Sequence, residues 1–286
     1  MIQSMTGFGK AFMQLPNKKI TVEIKSLNSK GLDLNVRTPS IYREMELQIR
    51  NTVAQRLERG KIDFSLYVEV TGEETSSKIN VSIIKGYINQ MREVIPDANE
   101  TELMKMAIRM PDVLKTEREE LDKTEWIRIE NVIQEALDNI ASFRSDEGLS
   151  LEKEFELRIS NIEKLMTKAV SFDSERVETV KTRLRSALEE LKTNVDENRF
   201  EQELIFYLEK YDITEEKVRL GNHLNYFLET MKKKEALGRK LGFITQEIGR
   251  EVNTMGSKSN HTEMQKLVVQ MKDELEKIKE QVLNVL

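Results

Sequence analysis

Apolar and polar residues alternate with a period of two in the first quarter of the chain. Every second residue is apolar over residues 20–24 and again over residues 32–36, with the turn-like stretch SLNSKG between them. This alternation predicts strands with one buried face. The turn composition, with Gly31 available for a positive φ, predicts that ITVEIKSLNSKGLDLNVR is a hairpin. Apolar residues then recur every four over residues 41–58, and GKIDFSLYVEV follows. The predicted order is β, ββ, α, β.

From about residue 80 onward, apolar residues recur at helical spacing. Pro96 and Pro111 end the first two predicted helices, VSIIKGYINQMREVI and ETELMKMAIRM. A third predicted helix is TEWIRIENVIQEALDNIASFRSDEG. Residues 149–195 are helical but highly charged, which is typical of a solvated arm. The fold class is therefore α+β, with a small N-terminal β-sheet and helices followed by a predominantly helical C-terminal region with a long charged arm.

These patterns divide the chain into three predicted parts. Residues 1–150 form an α+β domain, residues 151–200 form the charged arm, and residues 201–286 form a helical domain that carries the candidate site. The terminal helix, TEMQKLVVQMKDELEKIKEQVLNVL, has an apolar stripe suited to packing on a partner helix.

The composition excludes several classes of site. The 286 residues contain no cysteine, which rules out a disulfide framework, a thiolate nucleophile and a cysteine-ligated metal. The N-terminal MIQSMTGFGKAFMQ lacks the pattern of a signal peptide, and no apolar run is long enough to span a membrane, so we expect a cytoplasmic protein. The net charge is −5, so any nucleic-acid binding needs a local basic patch or one concentrated by oligomerisation.

Two helical segments each place polar side chains beside an apolar face. The first set is Asp212, Glu216, Arg219 and His223, and the second is Glu247, Arg250, Glu251 and Thr254. At about 100° per residue, the first set falls within an arc of roughly 60° and the second within an arc of about 100°. Carboxylate and imidazole groups at such spacing suit Mn²⁺, Mg²⁺, Zn²⁺ or Fe²⁺, and the arginines would neutralise phosphate.

A purely structural interpretation of the same residues stays open. Asp212 with Glu215 forms a capping box that would simply begin a helix. His223 is equally suited to the edge of a core, and the Glu247 segment to a solvated charged face. The chain has no HExxH, paired CxxC, P-loop, GxGxxG or GxSxG motif.

Several segments together resemble the YicC/YloC family over nearly the whole chain. SMTGFG, IKSLNSKGLDLNVRTP, RGKIDFSL, RMPDVL and SDEGLSL resemble its N-terminal region. NRFEQEL, KYDITEEKVRLGNH, KKKEALGRKLGFITQEIGREVNTMGSKS and the last helix resemble its C-terminal region. The resemblance implies a metal-dependent endoribonuclease acting on small RNAs or mRNA, with a role in RNA turnover and stress. It also implies a homo-oligomer, expected to be a hexamer, that works with other RNA-decay nucleases.

The resemblance also assigns roles to residues of this chain. The expected catalytic residues, which are also the expected ligands of Mn²⁺ or Mg²⁺, are Glu216, His223, Glu247 and Glu251. The expected RNA contacts at motif positions are Arg219, Arg239, Arg250, Asn253, Thr254, Ser257 and Lys258. Lys232, Lys233 and Lys240 are expected RNA contacts because of their charge, although the run KKK also suits a solubilising helix face. Glu203, Asp212 and Gln246 also match the family's motifs. Further cations that would attract RNA are Lys234, Arg43, Arg50, Arg56, Arg59 and Lys61.

Two cleavage routes remain open at this stage. A metal-activated water would leave 5′-phosphate and 3′-hydroxyl ends. A glutamate acting as base on the 2′-hydroxyl would leave a 2′,3′-cyclic phosphate. Two other functions also remain, a non-catalytic RNA-binding adaptor that assists RNA decay and a metal phosphohydrolase acting on small phosphate esters.

Overall fold

A four-stranded mixed sheet forms the N-terminal part of the molecule. The computed structural model describes residues 2–71, 78–115, 122–190, 197–233 and 237–286. The sheet has the order β1-β2-β4-β3. Its strands are β1 (Gly7–Gln14), β2 (Lys18–Leu27), β3 (Leu32–Arg37) and β4 (Gly60–Val70). A 3₁₀ turn, Ser40–Met45, and helix α1 (Glu46–Leu57) connect β3 to β4. The predicted order β, ββ, α, β is confirmed.

The predicted hairpin between β2 and β3 is wrong, because β4 lies between them. Ile24 of β2 faces Phe64 in an antiparallel ladder, and Val36 of β3 faces Phe64 in a parallel one. Parallel strands need a long crossover, and α1 supplies it. The glycine with a positive φ is Gly60 rather than Gly31, and the Ser26 hydroxyl lies 3.0 Å from where its Cβ would be.

The inner face of the sheet packs on α1 and on α4 (Lys123–Ser171). Ile24, Phe64 and Leu137 are fully buried in this core. Burial of each such side chain contributes roughly 1.5–3 kcal/mol. The strand β1 lies directly against α4, since a Cβ on Gly9 would overlap the Ala136 carbonyl.

Helix α4 connects the sheet to a second core. Its 49 residues extend for about 74 Å. The boundary expected at residue 150 falls inside this unbroken helix. Leu151, Phe155 and Ile159 beyond it are buried, so this stretch packs in the interior instead of forming a solvated arm. The charged segment then continues as α5 (Asp173–Glu190) and α6 (Glu197–Tyr211).

The second core contains α4 together with α7 (Thr214–Met231), α8 (Gly238–Lys258) and α9 (Thr262–Val282). Leu224, Ile248 and Met271 are each fully buried there. The apolar stripe of α9 packs against α4 and α8 of its own chain. The observed architecture is therefore α+β, as expected.

The two chain ends join the two cores. Met5 N donates to the Asn284 carbonyl at 2.7 Å, and Leu286 N donates to the Gln3 carbonyl at 3.0 Å. Gly148 of α4 permits this arrangement, because a Cβ there would overlap the Ile2 carbonyl.

A smaller unit lies between β4 and α4 in the sequence. It comprises β5 (Lys78–Ile79), α2 (Val81–Val94), α3 (Glu100–Ala107) and β6 (Leu114–Lys115). Ile84, Ala107 and Val113 form its core. Across the described ranges, no helix is long and apolar enough to cross a membrane.

Candidate active site

Two contacts define a polar seam between α7 and α8. Lys258 Nζ lies 2.8 Å from Glu216 Oε1, and Lys240 Nζ lies 5.2 Å from the centre of the Tyr226 ring. The lower-numbered residue of α7 contacts the higher-numbered residue of α8, so the two helices are antiparallel. We use the name polar seam for Glu216, Arg219, His223 and Tyr226 of α7 and Lys240, Glu247, Glu251, Thr254 and Lys258 of α8.

Helical geometry explains why these residues share one side of each helix. At 100° per residue, the α8 members fall within an arc of about 60° and the α7 members within about 80°. Leu220 and Leu224 of α7 and Ile248 of α8 lie beside them and are fully buried. The seam therefore follows the edge of the second core, with His223, Glu247 and Glu251 between its two end contacts.

Glu216 is the most enclosed group at one end of the seam. It is 5% exposed, and its Oε2 has no hydrogen-bond partner among the described residues. A buried carboxylate is unfavourable without a cation beside it, and the Lys258 ammonium supplies that cation. Lys258, one of the expected phosphate contacts, pairs with Glu216 in the structure.

The other three expected catalytic residues have different surroundings. Glu251 is 5% exposed and has no hydrogen bond or ion pair with any described residue. Glu247 is half-exposed and pairs with Arg250 at 3.1 Å. His223 is partly exposed, with no described hydrogen-bond partner. Glu251 is thus the carboxylate of the seam that the described chain leaves unpaired.

The four expected ligands do not form a metal site on their own. Among the residues that the structure describes, no group of three or more histidine, aspartate or glutamate side chains is placed to hold a metal ion. One oxygen of Glu216 is also taken by Lys258. The described residues of one chain therefore provide no such ligand group.

Asp212 begins α7. Its Oδ1 accepts hydrogen bonds from the Thr214 backbone N–H at 3.0 Å and from the Thr214 hydroxyl at 2.7 Å. The hydrogen bonds from Thr214 lower the pKa of Asp212. Asp212 therefore binds the first residue of the helix from a position just before it. Glu215 completes no capping box and instead pairs with Arg219 at 2.5 Å.

Cations and an aromatic ring meet at the other end of the seam. Lys232, Lys233 and Arg239 are exposed around Tyr226 and Lys240. A hydrogen bond from Lys240 is the main cause that lowers the pKa of Tyr226, and the charge of Lys233 adds to it. A ring and several ammonium groups in one place suit the base and phosphate of a nucleotide. Lys234 lies outside the described residues.

The remaining expected RNA contacts lie along α8. Asn253 and Ser257 are exposed, and Arg250 lies beside Glu247. The hydroxyl of Thr254 donates to the Arg250 carbonyl at 3.0 Å, and that of Ser257 donates to the Thr254 carbonyl at 2.9 Å. Both hydroxyl oxygens remain able to accept a hydrogen bond. Glu203 and Gln246 are exposed on α6 and α8.

The expected cations of the N-terminal region have mostly structural partners. Arg50 pairs with Glu46 at 2.8 Å, Arg56 pairs with Asp138, and Arg59 donates to the Ser29 carbonyl at 3.0 Å. Arg43 and Lys61 are exposed.

The sequence did not single out Arg176 of α5, which is 3% exposed. Its guanidinium donates to the Tyr211 carbonyl at 2.5 Å and the Lys258 carbonyl at 3.2 Å, and it pairs with Asp173 at 2.5 Å. It thus fixes the C-terminal ends of α6 and α8 beside the seam. Arg176 looks like any other charged residue of its segment, so its burial had no signal in the sequence.

His261 also has a structural role, in agreement with its omission from the expected site. Its Nδ1 accepts a hydrogen bond from the Met264 backbone N–H at 3.4 Å, which caps α9. Its ring stacks on Phe172 with 5.2 Å between the ring centres.

Comparison with known proteins covers both halves of the chain. Residues 2–153 match the family described as "Endoribonuclease YicC-like, N-terminal region", and residues 169–286 match "Endoribonuclease YicC-like, C-terminal". The chain is 32% identical over 296 residues to a protein of Clostridioides difficile (strain 630) named "Probable endoribonuclease YicC". It is 29% identical over 288 residues to a protein of the same name from Haemophilus influenzae. Both alignments cover 100% of each chain. The chain therefore belongs to the YicC-like endoribonuclease family.

Proposed function

We propose that this protein is an endoribonuclease and that the polar seam between α7 and α8 is its cleavage site. The observation that carries the proposal is Glu251, which is 5% exposed, has no ion pair with a described residue, and lies between the Glu216–Lys258 pair and the cations around Tyr226. The seam also lies in the part of the chain that matches the family's C-terminal region. Both relatives carry a ribonuclease name.

Cleavage of an RNA phosphodiester requires two kinds of group from the protein, a proton acceptor and cations. One group accepts the proton of the attacking oxygen as its bond to phosphorus forms, and cations stabilise the charge that develops on the phosphate. The bond from phosphorus to the leaving oxygen then breaks, and that oxygen takes a proton from water. Glu251 is our candidate for the proton acceptor, with His223 and Glu247 beside it along the seam. Arg219, Lys240 and Arg250 are the candidates for the phosphate oxygens.

Pairing by Lys258 gives Glu216 a supporting role in this scheme. An ion pair at 2.8 Å keeps that carboxylate engaged, so it is less available than Glu251 to take a proton from RNA. The pair also fixes one end of α8 against α7. We therefore assign Glu216 and Lys258 to positioning and Glu251 to the proton transfer.

Dependence on Mn²⁺ or Mg²⁺ remains a prediction. Since one chain offers no group of three ligands within its described ranges, a bound metal would need further ligands from RNA phosphates or from a second chain. The hexamer, the partner nucleases, the preference for small RNAs or mRNA, the role in RNA turnover and stress and the cytoplasmic location also remain predictions.

The test is cleavage of an end-labelled structured RNA by purified protein with Mn²⁺, with Mg²⁺ and with EDTA, beside Glu251→Gln prepared identically. We expect cleavage by the wild type that the variant loses in large part, since the variant keeps the shape and removes the charge. The ends of the products identify the route. Equal cleavage by both proteins, or none by either, would overturn the proposal and favour a non-catalytic RNA-binding adaptor.

A further inference from the structure

The outer face of the N-terminal sheet carries three exposed aromatic rings. Phe8 and Phe12 of β1 and Tyr67 of β4 are 41%, 60% and 52% exposed. The inner face of the same sheet is covered by α1 and α4, so these rings have no role in that core. Large aromatic side chains stabilise a structure most when they are buried. Three exposed rings on one face of a sheet therefore indicate a surface that contacts another molecule.

The strand register groups these rings. Phe12 faces Thr21 of β2, and Thr21 faces Tyr67, so the three residues form one row across the sheet. Neighbouring strands are about 4.8 Å apart, which places Phe12 and Tyr67 about 10 Å apart. Phe8 precedes Phe12 by four residues on the same face, or about 13 Å along the strand. Rings at this spacing can each accept a different base of one strand.

Cations accompany the rings. Lys19 Nζ lies 5.0 Å from the centre of the Phe12 ring, and Lys25 Nζ lies 5.9 Å from that of Phe8. Arg37 of β3 extends the series across the sheet, and neither Lys19 nor Arg37 is in an ion pair with a described carboxylate. A cation beside an exposed ring is the combination that binds a phosphate and its neighbouring base.

A depression in this face offers both donors and acceptors. Its lining includes Lys25, Arg37 and Ser65, which donate, and Glu23 and Asp63, which accept. A surface that bound only phosphate would exclude the two carboxylates. Carboxylates accept hydrogen bonds from base amino groups, so the mixture suits the edge of a nucleobase.

We propose that the outer face of the sheet binds single-stranded RNA, with bases stacked on Phe8, Phe12 and Tyr67 and phosphates held by Lys19, Lys25 and Arg37. Duplex RNA does not fit, because its bases are already stacked inside the helix. The surface would hold substrate away from the polar seam. The proposal deepens the proposed function, and it rests on that function only in treating the bound RNA as substrate.

The test is the affinity of the full chain for a fluorescent oligouridine, with an electrophoretic check that the oligouridine is intact after each measurement. The variant is Phe12→Leu with Tyr67→Leu, which keeps apolar side chains and removes two rings. The matched control is Phe206→Leu, which changes a phenylalanine that is 59% exposed on α6. We expect the double variant to bind at least about tenfold more weakly, since stacking contributes about 1–3 kcal/mol per base. The control should bind as the wild type does.

An oligonucleotide of the same length without bases provides a second measurement that needs no variant. The wild type should bind it much more weakly than oligouridine. Equal binding of both oligonucleotides, or equal binding by wild type and double variant, would overturn the proposal. So would a double variant that binds normally but loses self-association in sedimentation, because the face would then be a protein interface.

Glu251→Gln separates this inference from the proposed function. It lies in the seam, so it should bind oligouridine normally even where it fails to cleave. If the seam variant cleaves normally while the sheet variant loses RNA, the cleavage site is wrong and the binding surface stands. The reverse pattern would remove the binding surface alone.

Discussion

Lys258 donates to the carboxylate of Glu216 across the polar seam, with 2.8 Å between Nζ and Oε1. The two partners differ in their access to water. The glutamate side chain is 6% exposed, whereas the lysine side chain is 28% exposed. This difference decides what happens when either partner is removed.

The first prediction is an asymmetry in stability. Lys258→Ala leaves a buried carboxylate with no cation and should lower the free energy of unfolding by about 2–4 kcal/mol. Glu216→Gln leaves a lysine that can turn to water and should lower it by about 1 kcal/mol. Denaturant unfolding measures both values. Lys258→Met is the control for lost packing, because it removes the charge and keeps most of the side chain. Equal losses for the two variants would show that the pair is not enclosed as described.

The second prediction concerns the contact between α4 and the N-terminal segment. Gly148→Ala places a methyl group against the Ile2 carbonyl and should lower the free energy of unfolding by about 1–3 kcal/mol. Gly86→Ala in α2 is the matched control, since nothing lies within 4 Å of its added methyl group. It should leave the melting temperature unchanged or raise it, because alanine favours a helix. Similar melting temperatures for the two variants would contradict the close packing at Gly148.

The third prediction is a loss of stability in acid that depends on Glu274 of α9. Burial tends to raise the pKa of this carboxyl, but hydrogen bonds from Lys277, Asn161 and Arg158 outweigh it and lower the pKa from 4.5 to about 2. Because the pKa is lower in the folded state, the stabilisation is present above pH 4.5 and is lost as the pH falls towards 2. It amounts to at most about 3 kcal/mol.

Unfolding of wild type and Glu274→Gln across this pH range checks the third prediction. The difference between their free energies of unfolding should shrink steadily as the pH falls. A difference that stays constant with pH would mean that Glu274 is not held as an ionised group between α4 and α9.

The fourth prediction concerns Tyr226 at the cationic end of the seam. Since hydrogen bonding from Lys240 is the main cause that lowers its pKa, Lys240→Met should raise that pKa. Absorbance of the phenolate against pH, compared between wild type and variant, gives the shift. Lys272→Met, on the exposed side of α9, should leave the titration unchanged. An unchanged curve for Lys240→Met would contradict the contact.

The sequence predicted the individual strands well, but it predicted less well which strands lie next to each other in the sheet. Alternation over residues 20–24 and 32–36 identified β2 and β3, since the inner side of each strand is apolar. The order of the strands depends instead on which segment lies at the centre of the sheet. That segment is β4, since its Phe64 faces residues of both β2 and β3. A turn between two strands looks the same whether or not the strands pair. The alternation of apolar and polar residues therefore could not show whether β2 and β3 pair as a hairpin.

Helical spacing likewise identified the two stripes of the candidate site but not their contacts. The arcs on α7 and α8 follow from 100° per residue, and both stripes lie at a helix edge as expected. The pairing of Glu216 with Lys258 depends on the antiparallel packing of two helices, which spacing within one helix does not contain. The buried Arg176 is a stronger case, because two of its three partners lie on two other helices.

The most direct test of the cleavage site is the initial rate at which Glu251→Gln cuts an end-labelled structured RNA. Glu229→Gln, an exposed change on α7 outside the polar seam, is the matched control, and RNA affinity is measured for all three proteins. We predict that Glu251→Gln binds RNA normally and cleaves at least about 100-fold more slowly, as expected for loss of a proton acceptor. The control should cleave as the wild type does. A Glu251→Gln rate within a few-fold of wild type would contradict the assignment of cleavage to the polar seam.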